Sequence, residues 1–136
     1  MIYSKFFLVA AGFLGALAVI LGAFGAHALR AHLSADQIRI YETGVHYQFF
    51  HVLALLAVGI SMQFLTNENT ALFRWAGILF IIGILFFSGS LYLLASCDML
   101  SIQSLTPILG PITPLGGLSF IAGWVCFALA WWQQKG

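Results

Sequence analysis

From Phe6 to Gly25 the chain carries no charged side chain, and three further apolar runs of comparable length follow, separated by short polar stretches. A bilayer core about 30 Å thick is crossed by roughly 20 apolar residues in a helix. In lipid every backbone N–H and C=O must be bonded inside its own segment, which a helix achieves and an irregular chain does not. The run pattern therefore predicts an all-α membrane protein, a four transmembrane helix bundle in one domain of 136 residues. The spans fall near residues 5–27, 43–65, 74–97 and 114–134, with a short amphipathic connector between the first two. Only 7% of the residues are charged, against about one quarter in soluble proteins. A net charge of +1 leaves no basic stripe for nucleic acid, so the lipid bilayer is the expected partner.

Lys5 followed by an apolar run and Ala26-His27-Ala28 resembles a secretory signal with its cleavage site. The run exceeds the usual apolar core of about 7 to 15 residues, so a retained first helix is expected. Within it Ala11, Gly15, Ala18, Gly22 and Gly25 alternate in steps of four and three, a stripe of small residues that lets another helix approach closely. Arg30, His32, Asp36, Arg39 and Glu42 then interrupt Leu29, Leu33, Ile38 and Ile40. Ser34 can cap a short helix whose first turn carries Asp36, giving an amphipathic connector held in the headgroup region by its arginines.

The second span opens near Thr43 and brings most of the chemistry. Gly44, Tyr47, Gln48 and His51 lie at steps of three and four and share one face, whereas His46 points elsewhere. Polar side chains in a membrane helix turn toward the bundle. The polar patch Thr66 to Thr70 predicts the second connection, and Arg74 and Trp75 anchor a third span that is nearly featureless until Ser88 and Ser90. Pro107, Pro111 and Pro114 predict that no helix settles until after the last proline. Gly116, Gly123 and Ala130 repeat every seven residues as a second small-residue seam. Lys5, Arg74 and Lys135 against Arg30 and Arg39 favour cytoplasmic termini. Cys97 and Cys126 stand alone, without metal or redox spacing.

At about 1.5 Å per residue, His51 lies ~12 Å inside from Thr43, at a level similar to Ser88 and Ser90. Gly22, Gly25, Gly116 and Gly117 come from the same half. This predicts a polar layer in one leaflet facing an almost wholly apolar half. An intramembrane histidine is a functional candidate, as a proton relay, a neutral metal ligand or a plain interhelical lock. His46 and His51 are separated by ~140° of helix rotation and cannot easily share an ion. Glu42, His46, His27 and Asp98 are a conceivable surface metal set, and His51 with His27 a conceivable haem pair, so metal and cofactor stay undetermined. No phosphate loop, nucleophile elbow or zinc-protease motif is present. A serine hydrolase would have only His51 with Ser88 or Ser90, and the chain reads as no enzyme.

Gly22 to His27 (G-A-F-G-A-H), Tyr47 to His51 (Y-Q-F-F-H), Phe87 to Tyr92 (F-S-G-S-L-Y) and Thr113 to Gly117 (T-P-L-G-G), followed by Gly123-Trp124, together resemble the transmembrane protein 256 family. That family includes the bacterial YgdD-like and YwdK-like inner-membrane proteins. The resemblance implies a small four-helix protein of the plasma (inner) membrane, and it brings no known activity. Gly22, Gly25, His27, Tyr47, His51, Ser88, Gly89, Tyr92, Pro114, Gly116 and Gly117 are the positions it singles out; His46 and His32 lose weight as ligands. The expected binding layer is thus His27, Tyr47, Gln48, His51, Ser88, Ser90 and Tyr92, with Gly22, Gly25, Gly89, Gly116 and Gly117 for close helix packing. Its occupant is a small ligand such as a lipid or quinone, or a partner helix. The alternatives are a transporter or channel component working as a homo-oligomer through the first-span stripe, and a haem- or metal-binding redox subunit.

Overall fold

The computed structural model describes residues 2–65 and 70–134. The described residues form helices and turns without a strand: α1 (Ile2–His27), a 3-10 turn (Leu29–Ala31), α2 (Ala35–Phe64), α3 (Ala71–Gly83), a π-helical turn (Ile84–Ser88), α4 (Gly89–Ala95), a 3-10 turn (Gln103–Leu105) and α5 (Thr106–Trp132). Among the described residues four helical segments are long and apolar enough to cross a membrane: Ile2–Ala31, Ala35–Phe64, Ala71–Ala95 and Gln103–Trp132. The fold is the expected all-helical bundle. Thr66 to Asn69, where most of the second polar connection was expected, lie outside the described residues, as does Lys135.

Two helix starts differ from expectation. α2 begins at Ala35 rather than near Thr43, because Ser34 makes a full capping box: its Oγ accepts from Gln37 N–H, and Gln37 Oε1 accepts from Ser34 N–H. The connector is thereby reduced to the piece around Leu29–Ala31, and Asp36, Arg39 and Glu42 ride on α2 itself. α5 starts at Thr106 rather than after Pro114. Pro107 occupies its first turn, where the missing N–H is no loss. Pro111 and Pro114 sit inside the helix, and the carbonyls they leave unbonded, Pro107 and Gly110, share their exposed face. The three proline rings therefore crowd no neighbouring helix.

α2 lies between α1 and the third span, and α5 packs on the third span from the other side. Since lipid is as apolar as leucine, what holds such helices together is close packing and hydrogen bonding. The seams are built largely from a ring on one helix seated on a glycine of the next. Phe7 of α1 covers Gly77 of α3, Tyr41 of α2 covers Gly25 of α1, Tyr92 of α4 covers Gly44 of α2, Phe120 of α5 covers Gly83, and Phe80 of α3 covers Gly123 of α5. The expected stripe on α1 is spent within the chain: Ala11 and Ala18 are buried, and Gly15, Gly22 and Gly25 face Val52, Val45 and Tyr41 of α2. Self-association through that stripe would compete with α2. This removes the structural basis first offered for a homo-oligomer.

The polar contacts are not confined to one half. Ser4 at the start of α1 donates to Gly59 C=O (2.8 Å) near the end of α2, and Ser119 donates to Leu79 C=O (2.8 Å). Ser4 thus gives the expected apolar half an interhelical hydrogen bond of its own, and Ser119 adds one near the level of His51, on which its neighbour Phe120 stacks. Serine spacing concealed them, because an isolated Ser reads as filler unless its partner carbonyl is known. At the other end, Asp98 accepts from Gln37 (2.8 Å) and Gln103 (3.2 Å), tying the third connection to the first turn of α2.

Candidate functional site

His51 is buried in the middle of α2 with both ring nitrogens engaged. Nδ1 lies 2.7 Å from the Tyr47 carbonyl oxygen, and the Trp124 indole N–H donates to Nε2 at 3.2 Å. A carbonyl only accepts and an indole N–H only donates. The ring therefore carries its hydrogen on Nδ1 and is neutral. Phe120 stacks on it at 3.4 Å between centroids and 11° between planes, and Phe80 closes a tilted contact at 5.8 Å. While Trp124 stays in place, no ring nitrogen is open to a metal or to a transferred proton.

The residues expected to surround His51 go elsewhere. Gln48, fully buried, donates through Nε2 to Leu14 C=O on α1 (2.9 Å), and its Oε1 accepts from the Tyr92 hydroxyl on α4 (2.7 Å). Tyr92 packs on Tyr41, whose hydroxyl donates to Leu21 C=O (3.0 Å). Gln48, Tyr92 and Tyr41 form one lock joining α1, α2 and α4. Ser90 lies 2.7 Å from the Thr113 hydroxyl, and the pair reaches the carbonyls of Phe87 and Leu109. That is a second lock, joining α4 to α5. Ser88 is completely buried and has no hydrogen-bond partner among the described residues. The carbonyl four residues back, Ile84, instead accepts the Gly89 N–H of the π-turn.

His27 ends α1 in an exposed position. Gly25 is held at Tyr41, which is about 15 Å along α2 from His51, so His27 and His51 do not form an axial pair. Glu42 pairs with Arg30 (3.5 Å) and Asp98 with the two glutamines. Among the described residues no three His, Cys, Asp or Glu groups come together as a metal site. Of the expected packing glycines, Gly22, Gly25 and Gly116 meet a neighbouring helix closely, Gly117 makes an ordinary contact with Phe87, and a Cβ on Gly89 would meet nothing within 4 Å.

What the structure adds is a lateral groove of about 390 Å³ beside His51, between α2, the π-turn and α5. Tyr47, His51, Phe87, Phe120 and Trp124 supply aromatic walls, and Gly117 leaves space between them. Tyr47 packs tilted against Phe87 at 4.5 Å between centroids yet stays 42% exposed, so it edges the groove rather than facing fully inward. Sequence reasoning missed Phe80, Phe120 and Trp124 as the surroundings of His51. A signal was present: Phe120, Trp124, Phe127 and Trp131 follow steps of four, three and four, one aromatic face directed at the third span.

Four membrane-length helices around this laterally open site define a small integral membrane protein. Residues 21–117 match the family described as protein of unknown function (DUF423), a stretch that takes in Tyr47, His51, Phe87 and Gly117 of the groove and stops short of Phe120, Ile121 and Trp124. Relatives match over most of the length. A UPF0382 membrane protein of Staphylococcus haemolyticus is 37% identical, covering 97% of this chain and 99% of its own. One from Staphylococcus saprophyticus is 39% identical over 92% and 95%. The UPF0382 inner membrane protein YgdD of Escherichia coli is 40% identical over 89% and 85%. The chain belongs to this DUF423/UPF0382 membrane-protein family. No solved structure matches it.

Proposed function

We propose that this protein binds a flat-ringed amphiphile, of the chemical type of a quinone, in the groove between α2 and α5. The observation that carries the reading is the groove itself: aromatic side chains from three elements around a space of about 390 Å³, within the range of small-molecule sites of about 300–1,000 Å³. Stacking favours a planar ring over an acyl chain, and Tyr47 brings a hydroxyl to the rim. Because both His51 nitrogens are already bonded, His51 serves here as a fixed wall. The reading is therefore of binding and carries no chemical step.

Protein extracted in mild detergent and offered a short-tailed quinone should show quenching of tryptophan fluorescence, and Trp124→Phe should remove most of that quenching. Gly117→Leu, which fills the groove where only ordinary contacts stand nearby, should weaken binding at least tenfold without lowering the unfolding temperature. Equal quenching in wild type and Gly117→Leu would sink the proposal.

We infer that the protein lies in the plasma (inner) membrane with cytoplasmic termini. Lys5 near the start of α1 and Arg74 near the start of α3 support this, since short cytoplasmic segments carry the excess of Lys and Arg. A reporter fused after the last residue that is active only in the cytoplasm is expected to be active. Activity solely from a periplasm-dependent reporter would reverse the orientation.

A further inference from the structure

α2 is 30 residues long, about 45 Å at 1.5 Å per residue, against a hydrocarbon core of about 30 Å. The helix is too long to be buried whole, and its charges lie at one end: Asp36, Arg39 and Glu42 all fall within its first turns. That end therefore stands in the headgroup layer. Against it folds the Leu29–Ala31 turn, leaving a cleft of about 410 Å³ lined by Arg30, Leu33, Ala35, Ile38, Arg39 and Glu42. Two guanidiniums, one carboxylate and three apolar side chains thus meet in one space at the membrane surface.

We propose that this cleft holds the headgroup of a phospholipid bearing both a phosphate and a free primary ammonium. Arginine presents paired N–H groups that match phosphate oxygens. Glu42 offers acceptors only, and so asks for a cation with N–H groups. Leu33, Ala35 and Ile38 give the glycerol and first acyl carbons an apolar seat. In the chain alone Arg30 and Glu42 meet by a single 3.5 Å contact between half-exposed side chains, and Arg39 reaches Asp36 at 3.8 Å with both exposed. Such pairs are weak. Inserting the headgroup exchanges the Arg30–Glu42 pair for two, Arg30 with phosphate and Glu42 with ammonium. A glycerol headgroup brings no cation for Glu42, and a choline headgroup brings one with no hydrogen to donate.

The test is native mass spectrometry of the full chain in micelles containing equal ethanolamine, glycerol and choline phospholipids with identical acyl chains. The ethanolamine lipid should be retained about three- to fivefold over the other two, the scale of one exposed ion pair. Glu42→Gln should erase that preference while leaving the unfolding temperature unchanged, and Arg30→Gln with Arg39→Gln should reduce retention of all three lipids. Equal retention by the wild type, or a preference that survives Glu42→Gln, overturns the proposal. Displacement of the lipid by an equal concentration of soluble glycerophosphoethanolamine would transfer the site from a membrane lipid to a free metabolite. The outcome is independent of the quinone groove, which Gly117→Leu tests separately.

Discussion

Gly116→Ala is expected to unseat α5 from the third span, costing roughly 3 kcal/mol, the upper end of the range for overpacked cores. A Cβ at Gly116 would run into the backbone nitrogen of Phe87, with Phe87 Cα only 2.8 Å away. A flexible side chain could swing aside, but here the obstacle is main chain held in the π-turn. The adjacent Gly117 makes the comparison sharp, because a Cβ there would find the Phe87 ring at 3.8 Å. Gly117→Ala and Gly89→Ala should be neutral or stabilising by about 0.5–1 kcal/mol, the ordinary gain of alanine over glycine within a helix. Thermal unfolding in detergent followed by circular dichroism checks all three. Equal unfolding temperatures for Gly116→Ala and Gly117→Ala would mean that the Phe87 backbone yields, contrary to the packing described.

Gln48→Leu is expected to cost roughly 2 kcal/mol. The amide spans three helices, from Leu14 C=O on α1 to the Tyr92 hydroxyl on α4. Individual side-chain hydrogen bonds in membrane proteins average about 0.6 kcal/mol, but a buried hydroxyl left without a partner adds about 1–3 kcal/mol. About half of the loss should therefore lie at the orphaned Tyr92 hydroxyl and be recoverable. Adding Tyr92→Phe to Gln48→Leu removes the orphaned hydroxyl and should restore about half the deficit, whereas Tyr92→Phe alone should destabilise. A double-mutant cycle on the same unfolding measurement reads the coupling directly. Simple additivity of the two substitutions would show that the hydroxyl and the amide do not depend on each other.

How far the sequence anticipates this molecule can be judged at particular residues. The all-helical bundle follows from run length, and the Ser34 cap from its residue type. The small-residue face of α1 follows from its spacing, and it does lie against another helix. Its partner could not be read, because periodicity gives a face without naming the neighbour. Of the three side chains that the spacing turns inward, Gln48 and His51 are buried while Tyr47 stays at the rim. Their partners, Leu14 and Tyr92 for one and Tyr47 and Trp124 for the other, depend on how far each helix slides and turns against the next. The prolines of α5 misled for a different reason. Proline rules describe a local cost, and that cost is tolerated when all three rings share the outer face. The π-turn left no trace, since its widening is a compromise among helices rather than a preference of Ile84 to Ser88.

That compromise governs the phase of the third span. An α-helix advances about 100° per residue, and the wide turn closed from Gly89 N–H to Ile84 C=O sets the two halves of the rod out of step by about one residue. Ahead of it, Phe73 and Phe80 meet Phe127, Trp131 and Trp124. Beyond it, Tyr92 turns to Gln48 while Ser90 reaches Thr113. The turn thus behaves as a stored insertion. A rod one residue shorter there could keep the aromatic seam or the Gln48 lock in register, and would have to give up the other.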